Sequence, residues 1–233
     1  MSDDSLPVEN SQPPGPVRVY SVVLGVGVLC SLAIVTVYEV TRPIIRENRI
    51  VARREAILDL LPGAESVAAF RWDEEAGEFQ TVADDATGSD LVFAGIGPDG
   101  TLAGLTMAAQ AMGYQDVIRI LYGYSFDQDA VIGIKVLESR ETPGLGDRIE
   151  TDPDFLANFV RLDVGLNEDQ SQLAHPIKLV KPGEKEHPWQ IDGITGATIS
   201  SQAIADMLRD STGVWIPRVI ASQSVFENGH EGG

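Results

Sequence analysis

From Val19 to Tyr38 the chain reads VYSVVLGVGVLCSLAIVTVY, an apolar run without a charged side chain. At about 1.5 Å per residue a helix of that length crosses a hydrocarbon core of about 30 Å, so the pattern predicts a transmembrane helix. A cleaved signal peptide would have a shorter apolar core and a small-residue cleavage site before Glu39, and a retained signal-anchor fits better. The rhythm then changes. In IIRENRIVARREAILDLLPG, Ile50, Ile57 and Leu61 share one helical face and arginines take much of the rest. Pro43 is expected to interrupt the helix between the two stretches, and Pro62 with Gly63 to stop it. Beyond Gly63 the runs SVAAF, EFQTVA and DLVFAGI, separated by DEEAGE and GPDG, predict strands. DVIRILYGYS and AVIGIKVLESR alternate with period two through Val117, Ile118, Ile120 and Ile132, Ile134, Val136, which predicts a β-hairpin across FDQD. PDFLANFVRL predicts a helix starting near Asp152 and Pro153, and IKLVK a strand. A last helix begins just after ITGAT and runs to Thr212, where Gly213 closes it.

The fold class is therefore α+β, with an N-terminal single transmembrane helix ahead of a small α+β domain. The expected boundaries are a disordered, proline-rich cytoplasmic tail over 1–18, the transmembrane helix over 19–38, a juxtamembrane helix over 39–63, the folded domain over 64–216 and a flexible tail over 217–233. Charge sharpens the division. Arg42, Arg46, Arg49, Arg53 and Arg54 crowd the exit of the apolar run and suit lipid phosphates, whereas the remainder is acidic. A net charge of −18 over 233 residues repels polyanions, so nucleic acid is not an expected partner. The single cysteine, Cys30, lies in the apolar run, so neither a disulfide framework nor an iron–sulfur ligand set can be built from this chain. His175, His187 and His230 are scattered, and no metal site is expected. Redox chemistry would need another cofactor.

Two segments carry candidate chemistry, ETPGLGD over Glu141 to Asp147 and DGITGATISS over Asp192 to Ser201. Both fall at junctions between predicted elements, where sites tend to be built. In the second, Gly193 and Gly196 permit close backbone approach, Ala197 is small, and Thr198 offers a hydroxyl where the last helix begins. The free N–H groups and dipole of that helix end favour an anion, which points to a phosphate-bearing ligand on or at Thr198. The alternative on composition alone is that Thr195, Thr198, Ser200 and Ser201 compete to cap a helix while the glycines serve a turn.

DGITGAT fits D-x-x-[ST]-G-A-[ST] at Asp192, Thr195, Gly196, Ala197 and Thr198, and so resembles the signature of the FMN-binding domain, in which a flavin transferase links FMN phosphate to the last threonine. ETPGLGD, preceded by GIKVLESR and GYQDVIRILYGYSFD, resembles the G subunit of the Rnf ion-translocating electron transport complex, from the transmembrane span to about Met207. Both motifs also occur in the C subunit of the sodium-pumping NADH:quinone reductase; the Asp147-Arg148-Ile149 continuation and the modest length favour the Rnf type. Ser139 and Arg140 stand where relatives often carry a His-Lys or His-Gly pair. The resemblance implies FMN held covalently through a phosphoester on Thr198, with Asp192, Gly193, Thr195, Gly196 and Ala197 around the attachment point. It implies a second wall from Glu141, Thr142, Pro143, Gly144 and Leu145, with Glu141 and Thr142 bonding polar edges or ribityl hydroxyls. Trp189 is a candidate to stack on the flavin, and Lys178, Lys181 or Lys185 to pair with the phosphate.

The chain is then expected to be a membrane flavoprotein component of an ion-translocating ferredoxin:NAD oxidoreductase, an electron carrier with no catalytic residue of its own. Its partners would be the other membrane subunits, membrane lipid and the flavin transferase. Rival readings are a component like the C subunit of the quinone reductase, a free-standing membrane-tethered FMN reductase, and a flavin-free extracytoplasmic binding or regulatory protein. Topology is contested within the sequence. Arginines after the span outnumber Arg18 before it, which by the positive-inside rule holds the domain in the cytoplasm. The resemblance implies the opposite, with residues 39 to 233 on the periplasmic side of a bacterial inner membrane.

Overall fold

The computed structural model describes residues 15–83, 85–88 and 90–228. The first fourteen residues of the expected N-terminal tail, and the last five of the chain, lie outside the described residues. Two compact units divide the chain, Met1–Arg49 and Ile50–Gly233. In the first, the apolar run forms a helix, α1, which spans Pro16–Leu60 and so ends inside the second unit. It is long and apolar enough to cross a membrane by length and composition. The expected break at Pro43 does not occur. Proline removes one N–H from the ladder, but the hydrogen bonds on either side can persist, and apolar helices re-satisfy the freed carbonyls locally. Just before the proline, Thr41 Oγ1 donates to the carbonyls of Val37 at 2.8 Å and Tyr38 at 3.2 Å.

The second unit is built on a seven-stranded antiparallel sheet in the order β2-β1-β3-β4-β5-β6-β7. Its strands are β1 (Ser66–Asp73), β2 (Glu78–Val82), β3 (Leu91–Ile96), β4 (Leu102–Met112), β5 (Val117–Ser125), β6 (Ala130–Glu138) and β7 (Leu162–Asp163). The hairpin expected around FDQD is the β5–β6 pair, with Ile120 opposite Val136 and Tyr122 opposite Ile134. A short parallel pair, β8 (Lys178–Val180) and β9 (Gln190–Asp192), precedes the long helix α3 (Thr198–Ala221).

The sheet packs a core against part of each face, and the side-chain alternation of a strand sorts its residues between them. Ile118, Ile120, Tyr122 and Tyr124 of β5 join Ile204, Leu208, Ile216 and Val219 of α3 in one core. Leu121 points the other way, into a smaller core with Ala56, Ile57, Leu60 and Leu61 from the end of α1. Four glycines on adjacent strands make room for that end. A Cβ at Gly95 or Gly104 would lie 2.6 or 2.9 Å from Leu61, and one at Gly133 2.9 Å from Leu60. At Gly123 it would lie 3.3 Å from the Leu60 carbonyl. The last turn of α1 thus sits in a trough that side chains would fill.

Several elements differ from expectation. β4 joins β3 to β5 in the middle of the sheet, yet its sequence LAGLTMAAQAM is poor in the β-branched and aromatic residues that mark strands. PDFLANFVRL gives only the short helix α2 (Pro153–Ala157), capped by Asp152, whose side chain accepts from the Asp154 and Phe155 N–H groups. α3 does not end at Gly213. It continues through Gly213 and Pro217 to Ala221, because Trp215, Ile216 and Val219 remain buried. The segment expected as a flexible tail from 217 holds the end of α3 and a further helix, α4 (Gln223–Asn228). Phe226 of α4 is fully buried, edge-on to Phe70 with ring centroids 5.0 Å apart.

Candidate functional site

The DGITGAT segment runs from β9 into α3 and is tied down at almost every residue. Asn158 grips Asp192 from both sides: its Oδ1 accepts from the Asp192 N–H at 3.0 Å, and its Nδ2 donates to the Asp192 carbonyl at 3.2 Å. The Asp192 side chain accepts from the Lys185 N–H at 3.1 Å. Gly193 N–H donates to the Val180 carbonyl at 3.0 Å, and Ile194 N–H to Ser201 Oγ at 3.1 Å. The Thr195 carbonyl accepts from Arg148 at 3.1 Å. Gly196 turns the chain with φ +86°, a conformation side chains rarely adopt. The alternative in which Thr195, Thr198, Ser200 or Ser201 caps α3 does not hold: Ala197 occupies the cap position, and no side chain caps the helix. The N–H groups of Thr198, Ile199 and Ser200 lie in the first turn, where the helix supplies no acceptor, and no acidic residue belongs to that turn.

Across from this helix end lies ETPGLG, and Glu141 joins the two. The residue is only 6% exposed, and its carboxylate accepts hydrogen bonds from Ser200 Oγ, from the Tyr114 N–H at 3.2 Å and from the Gln115 N–H at 3.0 Å. Burial pushes the Glu141 carboxyl up. The hydrogen bonds from Ser200 and from the Gln115, Tyr114 and Asp116 backbone outweigh that and hold it below the usual carboxylate range. Two glycines make the fit possible. A Cβ at Gly113 would lie 2.6 Å from a Glu141 oxygen, and one at Gly146 2.8 Å from Ser200 Oγ. Glu141 is thus a buried joint between the turn after β4, the ETPGLG loop and the first turn of α3, and its oxygens are already engaged by protein donors.

These three segments enclose a cavity of about 370 Å³ lined by Tyr114, Glu141, Thr142, Leu145, Gly146 and the run Gly196 to Ser200. Thr198, Thr142 and Leu145 thus meet at one site although the chain separates them widely. Leu145 is 52% exposed and Ile199 54%, so the cavity has an apolar rim. Pro143 and Gly144 form the exposed turn behind Leu145 and do not line the cavity; Gly144 has φ +76° and open space around it. Asp192, Gly193 and Thr195 also stand apart, lining a second cavity of about 500 Å³ with Arg148, Asp152 and Phe155. Trp189 lies away from both, stacked between His175 at 3.8 Å and His187 at 4.4 Å between ring centroids. Among the candidate lysines, Lys185 donates to Asn158 Oδ1 at 3.2 Å, and none of the three lines the cavity. Tyr114 and Ser200 are cavity residues to which the sequence assigned no part in holding a ligand. Tyr114 was marked only by the glycine before it, and Ser200 only by its place in the DGITGATISS segment.

The cavity suits a flavin phosphate in three respects. The uncapped end of α3 presents donors and the positive end of its dipole, Gly196 leaves the approach open, and Leu145 and Ile199 offer apolar surface for a ring. Thr198 is exposed at the mouth, at the first position of the helix. A phosphate there would be held by the first-turn N–H groups.

Fold and site together define a flavin-carrying domain, and residues 113–212 match the FMN-binding domain family. The chain belongs to the family formed by the G subunits of ion-translocating oxidoreductase complexes. It is 35% identical to that subunit from Methanosarcina acetivorans over 68% of this chain and 72% of the relative. To its counterpart from Cronobacter sakazakii it is 32% identical over 48% and 49%. Among solved structures, the C subunit of the Na(+)-translocating NADH-quinone reductase from Parabacteroides distasonis shares the fold, with a TM-score of 0.53 at 23% identity over 67% of this chain and 78% of that one. NqrC of Shewanella oneidensis superposes with a TM-score of 0.50 at 18% identity, over 73% and 86%. With its long apolar helix, the chain is a membrane-anchored member of the family.

Proposed function

We propose that this chain is the flavoprotein component of an ion-translocating ferredoxin:NAD oxidoreductase and that it relays electrons through FMN esterified to Thr198. The observation that carries the reading is the position of Thr198, exposed at the uncapped start of α3 on the edge of a cavity whose far wall is Glu141, Thr142, Leu145 and Gly146. The flavin supplies the electron chemistry, and the protein supplies attachment, orientation and local polarity. The first turn of α3 holds the phosphate, Leu145 and Ile199 shield the ring edge from water, and the Asn158 clamp on Asp192 keeps the loop rigid while a flavin transferase modifies Thr198. A covalent bond is useful here because the domain is strongly acidic and draws free FMN, itself an anion, poorly at long range. The other membrane subunits would supply and accept the electrons.

Produced with a flavin transferase, the full chain should gain the mass of FMN less one water on the peptide that holds Thr198. Thr198→Ala should lose that mass and the visible absorption while keeping its thermal transition. Modification of Ser200 or Ser201 with Thr198 intact would overturn the assignment; Ser200 Oγ is bonded to Glu141, and Ser201 Oγ to the Ile194 N–H. The same reading places residues 39 to 233 on the outer side of the membrane, against the arginine count. Protease added to intact spheroplasts should digest the domain and spare a cytoplasmic control, and protection would reverse the orientation.

A further inference from the structure

Tyr114 stands out in the folded unit. Tyr122 and Tyr124 are fully buried there, whereas Tyr114 is 66% exposed. An exposed tyrosine on a loose loop would mean little. Here the backbone beneath it is fixed. Gly113 N–H closes the turn by donating to the Asp116 carbonyl at 2.9 Å, and the Tyr114 and Gln115 N–H groups both end on the buried Glu141 carboxylate. Gly113 has no room for a side chain, because a Cβ there would also lie 2.6 Å from Ile118. The turn therefore presents the ring from a rigid base, next to a cavity it lines and opposite a helix end that lacks a cap. The remaining rim residues, Leu145 and Ile199, are aliphatic, so Tyr114 is the aromatic ring lining that cavity. Aromatic rings favour offset or edge-on contact with other flat π-systems.

We infer that Tyr114 packs against the isoalloxazine of the flavin carried on Thr198 and closes the open side of the cavity, with Glu141 setting its position. The inference rests on the attachment reading above. It makes Tyr114 a contact residue of the flavin and Glu141 a positioning residue that acts through the turn. A phenol in contact with a flavin quenches its fluorescence, since the excited ring takes an electron from the phenol and returns it. Phenylalanine has nearly the same shape but is too hard to oxidise to do this. The two effects of the side chain, packing and quenching, can thus be separated.

The experiment uses the full chain in detergent, flavinylated in the cell and checked by mass. Tyr114→Phe should raise flavin fluorescence yield and lifetime while leaving absorption and visible circular dichroism as in the parent. Tyr114→Ala should raise the fluorescence and also alter the visible dichroism, because the ring loses a packing partner. Glu141→Gln should give a smaller rise, the turn being held less firmly. If Tyr114→Ala is not flavinylated, Tyr114→Phe decides alone. Fluorescence unchanged in flavinylated Tyr114→Phe overturns the contact, including the case in which Tyr114 serves only to meet a partner protein. A parent chain with no flavin on Thr198 overturns the attachment reading, a result that mass alone distinguishes.

Discussion

At the scale of single residues, Glu141 shows how a motif residue can line a cavity while its carboxylate is engaged by the protein itself. The sequence suggested a carboxylate for polar edges of a cofactor. In the structure the carboxylate is turned inward onto Ser200, Tyr114 and Gln115. The sequence carried no signal for this, because the partners come from two other elements and the nearest of them is twenty-six residues away. A lowered pKa in the folded state has a definite sign. The extra stability is present above the unfolded carboxylate value, about 4.3, and is lost as pH falls through the folded value. Chemical denaturation should therefore show the parent losing stability below about pH 4.3 relative to Glu141→Gln, whose amide does not titrate. Glu141→Ala, which leaves three donors without their acceptor, should be destabilised at neutral pH by roughly 1–3 kcal/mol. Equal pH profiles for parent and Glu141→Gln would mean that the clasp does not couple to folding.

At the scale of elements, legibility followed local signal. The hairpin of β5 and β6 announced itself by alternation, and the start of α3 by its glycine and threonine run. β4 did not, because its alanines and glycine lack the β-branched and aromatic character that marks strands. The end of α3 was misjudged for a related reason: Gly213 and Pro217 are stop signals locally, but burial of Trp215, Ile216 and Val219 overrides them. α4 had no local signature at all. What holds it is Phe226, set against Phe70 and Phe79, with its centroid 4.9 Å from that of Phe79. Phe226→Ala should lower stability by about 3–5 kcal/mol, measured by urea titration of the detergent-solubilised chain. A loss of about half a kcal/mol or less, the size typical of surface changes, would return this segment to the status of a tail.

At the scale of the whole molecule, the boundary of the folded unit matters more than any one contact. A domain beginning at 64, as the pattern of charges and strands suggested, omits Ala56, Ile57, Leu60 and Leu61, all of which are buried. The unit begins instead at Ile50. Residues 50–233 should melt cooperatively near the temperature of the full chain. Residues 64–233 should melt lower, bind a hydrophobic dye and aggregate, since the glycine trough would lie open to water. Equal melting of the two would show that the trough needs no filling.

The trough also sets an order of events during synthesis. Leu60 and Leu61 leave the ribosome before any strand exists, and their seats are on β3, β4, β5 and β6. The opposite face waits longer, because α3 follows β9 in the chain. A nascent chain stalled after Glu138 holds a sheet bare on one side, and only once α3 has emerged can both cores close together. Contacts this far apart in the chain close slowly and leave apolar surface open to chaperones in the meantime. The loop that presents Thr198 is completed in that same interval, so the ester proposed there would form after this unit has folded.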